Sequence, residues 1–206
     1  MFKRALMATA ISFAVMSAHA NETLLTENFD DVTTLASDGW VAFNLSVPVG
    51  TTGWFQGGVN FFEAQSGAPD SYIAANFENS LEGGTISNFL LSPEFSMEKS
   101  GSVTFWARAD IVAGFSDVLS YGLSGSPATA VTLTGEWTQY TLDFAGLGAG
   151  ATGHLAFNYL GNADASNYIG IDTFSVTAVP EPSTWLMLGL GLTGLAIRGR
   201  RLAARS

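Results

Sequence analysis

Residues 137–144 read Trp137-Thr138-Gln139-Tyr140-Thr141-Leu142-Asp143-Phe144. In an extended chain Tyr140, Leu142 and Phe144 point one way, and Thr141 and Asp143 the other, because side chains alternate along a strand. A period of two over this length reads as a half-buried strand. The pattern recurs in Leu155-Ala156-Phe157-Asn158-Tyr159 and in Val103-Thr104-Phe105-Trp106-Ala107-Arg108-Ala109. Similar runs cover 24–29, 40–47, 54–62, 72–77, 86–91, 118–123 and 168–176, with Gly, Ser, Asn, Asp and Pro between them. No segment of this stretch holds a sustained helical period. Many short strands, each with one apolar face, are satisfied best by two antiparallel sheets packed face to face. The expected fold is therefore all-β, an antiparallel β-sandwich of the jelly-roll type. In the last run the apolar phase slips by one residue between Ile171 and Phe174. A bulge is expected there, and it would re-aim Asp172.

Both ends of the chain read as addresses. Lys3 and Arg4 precede an apolar run from residue 5 to 16, and Ala18-His19-Ala20 follows as a small-x-small cleavage site. This is the pattern of a secretory signal peptide over residues 1–20, a short helix cut after Ala20 by a signal peptidase. The C-terminus reads Val179-Pro180-Glu181-Pro182-Ser183-Thr184, then residues 185–197 without a charge, then Arg198, Arg200, Arg201 and Arg205. Thirteen helical residues span only about 20 Å, against a hydrocarbon core of about 30 Å. Flanking arginines can snorkel, and their cluster would hold that end on the cytoplasmic side. Residues 179–206 are thus expected to form a sorting tail with a short transmembrane helix, passing transiently through the inner membrane. Pro180 and Pro182 keep Glu181 in an extended, accessible segment. The order of triplet, thin helix and arginine cluster resembles the PEP-CTERM tail of Gram-negative exported proteins. The resemblance implies an exosortase as processing partner and a final place at the cell surface or outside it.

Residues 21–178 remain for one β-sandwich domain, long enough to bury a core without staples. All 18 acidic residues lie between Glu22 and Glu181, where only Lys99 and Arg108 oppose them, leaving that stretch near −16. Such a charge repels nucleic acid and anionic lipid. The chain has no cysteine, so disulfides, zinc–thiolate sites and thiol nucleophiles are excluded. With His19 in the signal, His154 is the one histidine of the exported part, and no multi-histidine metal site can form.

Several segments of the body together resemble the choice-of-anchor J family, a relative of the cleaved-adhesin jelly-roll modules. They are Glu27-Asn28-Phe29-Asp30-Asp31, Trp54-Phe55-Gln56-Gly57, Gln65-Ser66-Gly67, the run 71–77, the run 86–93 and Ile169-Gly170-Ile171-Asp172. The resemblance implies a jelly roll and an extracellular place, and no activity. Related jelly rolls often hold a structural calcium between the first and last strands. It implies Glu27, Asp30 and Asp172 as ligands, since calcium takes about six to eight hard oxygens. No organic cofactor is expected.

Trp54 and Phe55 are the expected ligand-binding pair, because Gly57 and Gly58 beside them would let the rings project and stack on sugars. Glycosidases need two opposed carboxylates, and no spacing among the acids singles out a pair. His154 has no nucleophile-elbow motif to serve. The expectation is a non-catalytic binding or adhesion module of the exopolysaccharide or biofilm layer. The alternatives are a secreted polysaccharide hydrolase, an ice-binding protein or a matrix-filling protein.

Overall fold

A computed structural model describes residues 21–179. The expected signal peptide, with Ala18 and Ala20, and the tail from Pro180 onward lie outside the described residues. Fourteen strands run in the order β1 (Glu22–Glu27), β2 (Val41–Asn44), β3 (Val47–Val49), β4 (Phe55–Gln56), β5 (Ile73–Asn76), β6 (Ser80–Leu91), β7 (Phe95–Ser96), β8 (Gly101–Ala109), β9 (Val118–Leu123), β10 (Thr129–Thr132), β11 (Thr138–Phe144), β12 (Thr152–Gly153), β13 (Leu155–Asn162) and β14 (Tyr168–Ala178). One sheet has the order β11-β8-β14-β5-β4, with β1 also on β14. The other has the order β10-β9-β13-β6-β2, with β3 also on β6. Strands β7 and β12 form a small third pair. The two large sheets make the sandwich.

The core between the sheets follows the alternation. Val103, Phe105, Ala107 and Ala109 of β8 are buried, as are Leu155, Phe157 and Tyr159 of β13 and Leu119, Tyr121 and Leu123 of β9. Phe105 meets Phe157 edge to face at 4.8 Å, and Phe157 meets Phe174 at 6.2 Å. These contacts join the sheets across the middle, and aromatic edges prefer this geometry to a flat sandwich.

Strand β14 organises the first sheet. One edge pairs with β8 over residues 169–172 and 175–178, while the other serves β5 over residues 168–171 and β1 over 174–178. Between those halves the register against β8 shifts from Asp172 to Ser175, and Thr173 stands at φ 49°. The bulge read from the sequence is present. Ile169 and Ile171 face the core before it, and Phe174 and Val176 after it.

The run 54–62 departs from its expected strand. Only Phe55–Gln56 pairs, and the chain then leaves the sheet. A Cβ on Gly57 would stand 2.3 Å from the Tyr72 ring, so the glycine lets that ring lie against the backbone. Residues 57–71 then fold back over the outer side of the first sheet. Phe62 of this segment closes on Tyr72, Ala74 and Tyr168, and the four form a second buried cluster. The Arg108 guanidinium lies 4.3 Å over the Phe62 ring, and Trp137 Nε1 donates to Glu63 O at 2.9 Å. Gly170 sits under this cover, where a Cβ would come within 2.8 Å of both Phe62 and Tyr72.

Candidate functional site

At the bulge in β14, Asp172 lies on the outer side of the first sheet, fully buried beneath the covering loop. Its Oδ2 accepts from the N–H of Gln65 at 2.8 Å and of Ser66 at 3.0 Å, and its Oδ1 accepts from Thr173 N. Thr173 Oγ1 donates to Gln65 Oε1 at 2.8 Å. Asp172 therefore ties the last strand to the covering loop. Burial pushes its carboxyl above the usual value, and the N–H donors oppose that rise. Asp30 lies beside the same loop, its Oδ1 being 3.2 Å from where a Cβ on Gly67 would stand. Glu27 Oε1 accepts from Phe29 N at 2.8 Å, and Phe29 itself stands at φ 54°. Glu27, Asp30 and Asp172 thus belong to the junction of first strand, loop and last strand.

As placed, this set does not fit a calcium ion. Both oxygens of Asp172 are engaged by N–H donors, whereas an ion needs oxygens converging on one point. Among the described residues no group of three or more His, Asp or Glu side chains could hold a metal. The expected outcome of unfolding the chain in calcium and then in excess chelator is one unchanged midpoint. A drop on chelation would show that the junction turns its carboxylates to an ion, because a ligand of the folded state raises the midpoint by mass action.

Trp54 and Phe55 are both half-buried. Trp54 packs against the main core, and its buried indole N–H has no hydrogen-bond partner in the structure. Phe55 packs on the outer cluster, 6.0 Å from the Tyr168 ring. The structure does not bring these two rings together on an open surface.

An open aromatic surface is found on the second sheet. Its inner face is core, and its outer face is covered at Gly122 by Ala128 and bears exposed Phe43 at the other border. Register places Phe43, Phe89, Asn158, Ser120 and Ala130 in one row across five strands. Val41, Leu91, Ala156 and Gly122 form the neighbouring row, and Ser87, Leu160, Val118 and Thr132 the row on the other side. None of these thirteen residues is charged. Phe43 and Phe89 stack at 5.0 Å with an interplanar angle of 11°, and Phe43 is 37% exposed. Asn158 Nδ2 donates to Ser87 Oγ at 3.3 Å beside them. Val41, Leu45 and Val47 are exposed along the same border. The strand carrying Phe43 is held from inside: Asn44 Nδ2 donates to Asn79 O at 2.7 Å, and Asn88 Nδ2 to Asn79 Oδ1 at 2.8 Å. In this near-parallel stack Phe89 backs the exposed Phe43 ring, which with the amide and hydroxyl groups alongside can take the C–H face and the hydroxyl rim of a sugar ring. Alternation in 40–47 marked Phe43 as a strand residue. Its partner Phe89 lies 46 positions away, and only the sheet register joins them.

Comparisons with known proteins agree with this architecture. Residues 178–201 match the PEP-CTERM protein-sorting motif. The chain carries that motif, which implies exosortase processing and export to the cell surface or extracellular space. The body is similar to the K3 cleaved adhesin domain of Lys-gingipain from Porphyromonas gingivalis W83, with TM-score 0.59 and 20% identity over 78% of this chain and 100% of that one. It is similar also to the K1 domain of the same protein, with TM-score 0.57 and 19% identity over 77% of this chain and 99% of that one. At these identities the likeness is one of fold alone, a β-sandwich. No curated protein matches the chain.

Proposed function

We propose that this is an exported, exosortase-processed surface protein whose β-sandwich binds polysaccharide without catalysis, within the exopolysaccharide or biofilm layer. The Phe43–Phe89 pair, set in an uncharged row with Asn158 and Ser120, is the observation that supports this reading. Charge narrows the ligand. A body near −16 repels anionic polymers, and the uncharged face offers them no cation. A neutral polysaccharide meets neither obstacle. The acidic remainder of the surface keeps the module soluble.

Affinity electrophoresis of the chain through gels of a neutral β-glucan and of an anionic alginate tests this. Retardation is expected in the glucan only. Phe43→Ala is expected to weaken it at least tenfold, about 1.4 kcal/mol, with the unfolding midpoint nearly unchanged because the ring is partly exposed. Wild-type retardation in both Phe43→Ala and Asn158→Ala would remove the site. Release of reducing ends from the glucan would replace the binding module with a hydrolase.

A further inference from the structure

A second concave surface lies at the end of the sandwich where β6 begins. It is a groove of about 550 Å³ lined by residues that include Phe77, Leu81, Phe115, Glu78, Glu82 and Asp164. Its volume falls in the range of small-molecule sites, about 300–1,000 Å³. Phe77 is 45% exposed, Leu81 49% and Phe115 42%, so the three meet solvent inside one concavity. Exposed large apolar groups gathered in this way mark a binding surface. Thr51, Ser80 and Asn167 add hydroxyl and amide groups to the wall.

The rim has one sign of charge. Glu78, Glu82 and Asp164 line the groove, and no lysine, arginine or histidine does. Among the described residues the only ion pair is Lys99 with Glu22. The other cation, Arg108, stacks on Phe62 under the covering loop. Some of the acidic capacity is already used locally. Asp164 Oδ1 accepts from Gly83 N at 2.8 Å, and Glu78 Oε2 from Asn76 Nδ2 at 3.1 Å. These bonds fix the two carboxylates in place and leave their charge uncompensated. A ligand that fills the groove must bring a cation, an apolar face for the phenylalanines, and hydroxyls for the polar wall.

We infer that this groove binds a protonated amino sugar of a polysaccharide chain, a 2-amino-2-deoxyhexose unit with its amine free. The ring's C–H face would lie between Phe77 and Phe115, and the ammonium would face Glu78, Glu82 and Asp164. A lysine-bearing peptide would satisfy the carboxylates and leave the aromatic flanks and hydroxyl partners without a match. The inference is independent of the Phe43 site, which lies on the outer face of the second sheet.

Calorimetric titration of the full chain with a glucosamine tetramer, its fully N-acetylated counterpart and tetralysine tests it. Binding of the glucosamine tetramer alone is expected, weakening as salt screens the rim. Glu82→Gln and Phe115→Ala, both at exposed side chains, are each expected to weaken it at least fivefold. Phe43→Ala should leave it intact. Equal binding of the acetylated tetramer would overturn the role of charge. Equal binding of tetralysine, or retention of wild-type affinity by both groove variants, would reduce the effect to bulk acidity and overturn the site. Absence of any glucosamine binding would overturn it outright.

Discussion

Asp172→Ala is expected to destabilise the chain by about 3 kcal/mol, the cost of leaving buried donors without their acceptor. For a protein of this size that lowers the midpoint by roughly 6–12 °C. The carboxylate accepts from Gln65, Ser66 and Thr173 at once. Its loss frees the 57–71 loop, whose Phe62 covers Tyr72 and Tyr168, so the second cluster loosens with it. Thr173 adds to the effect, because a β-branched residue at φ 49° is strained and the Asp172 and Gln65 bonds hold it there. Asp172→Asn keeps one acceptor oxygen and should cost less. Thermal unfolding followed by near-ultraviolet circular dichroism reads both variants. An Asp172→Ala midpoint within a degree of the parent would show that the loop is held by its aromatic contacts alone.

The second large effect is the shape of the stability profile with pH. Burial raises the carboxyls of both Asp117 and Asp172 above the usual 3.8. Asp117 is 3% exposed and accepts from Tyr159 Oη and from Asn167 N. A carboxyl raised in the folded state binds its proton more tightly there than in the unfolded chain. Between the two values the native state holds more protons, so stability falls as pH rises through that window. Stability is therefore expected to increase as pH is lowered through the range just above the usual carboxylate value, down to about 4. General repulsion among the acids gives the same sign. One molar salt screens surface repulsion and leaves the buried groups nearly untouched. In that salt the slope should persist in the parent and shrink in Asp117→Asn. A profile that is flat or declining toward acid in high salt would contradict the burial argument.

Much of the fold was legible because strands carry their own periodicity. The alternation in 103–109, 137–144 and 155–159 assigned inward and outward residues, and the core follows it. A one-residue phase slip located the bulge at Asp172, since a bulge is a local event with a local signature. The run 54–62 departs from its strand pattern for the opposite reason. Its residues have strand composition, but Gly57 serves as a seat for Tyr72, a contact 15 positions away. Strands β3, β7, β10 and β12 are two to four residues long, too short for a period to show.

The candidate sites divide in the same way. By itself the sequence determined the C-terminal sorting motif, the acidic body, the absence of thiol chemistry and the all-β class. Those properties depend on composition, order and nearest-neighbour spacing, which the chain carries before it folds. Tertiary structure alone decided that Asp172 meets N–H donors, that Trp54 packs on the main core and Phe55 on the outer cluster, and that Phe43 stacks on Phe89. It also gathered Phe77, Leu81 and Phe115 around three carboxylates. Each is a meeting of segments that local pattern leaves unrelated. Sheet register sets the Phe43–Phe89 pair, and loop packing sets the others.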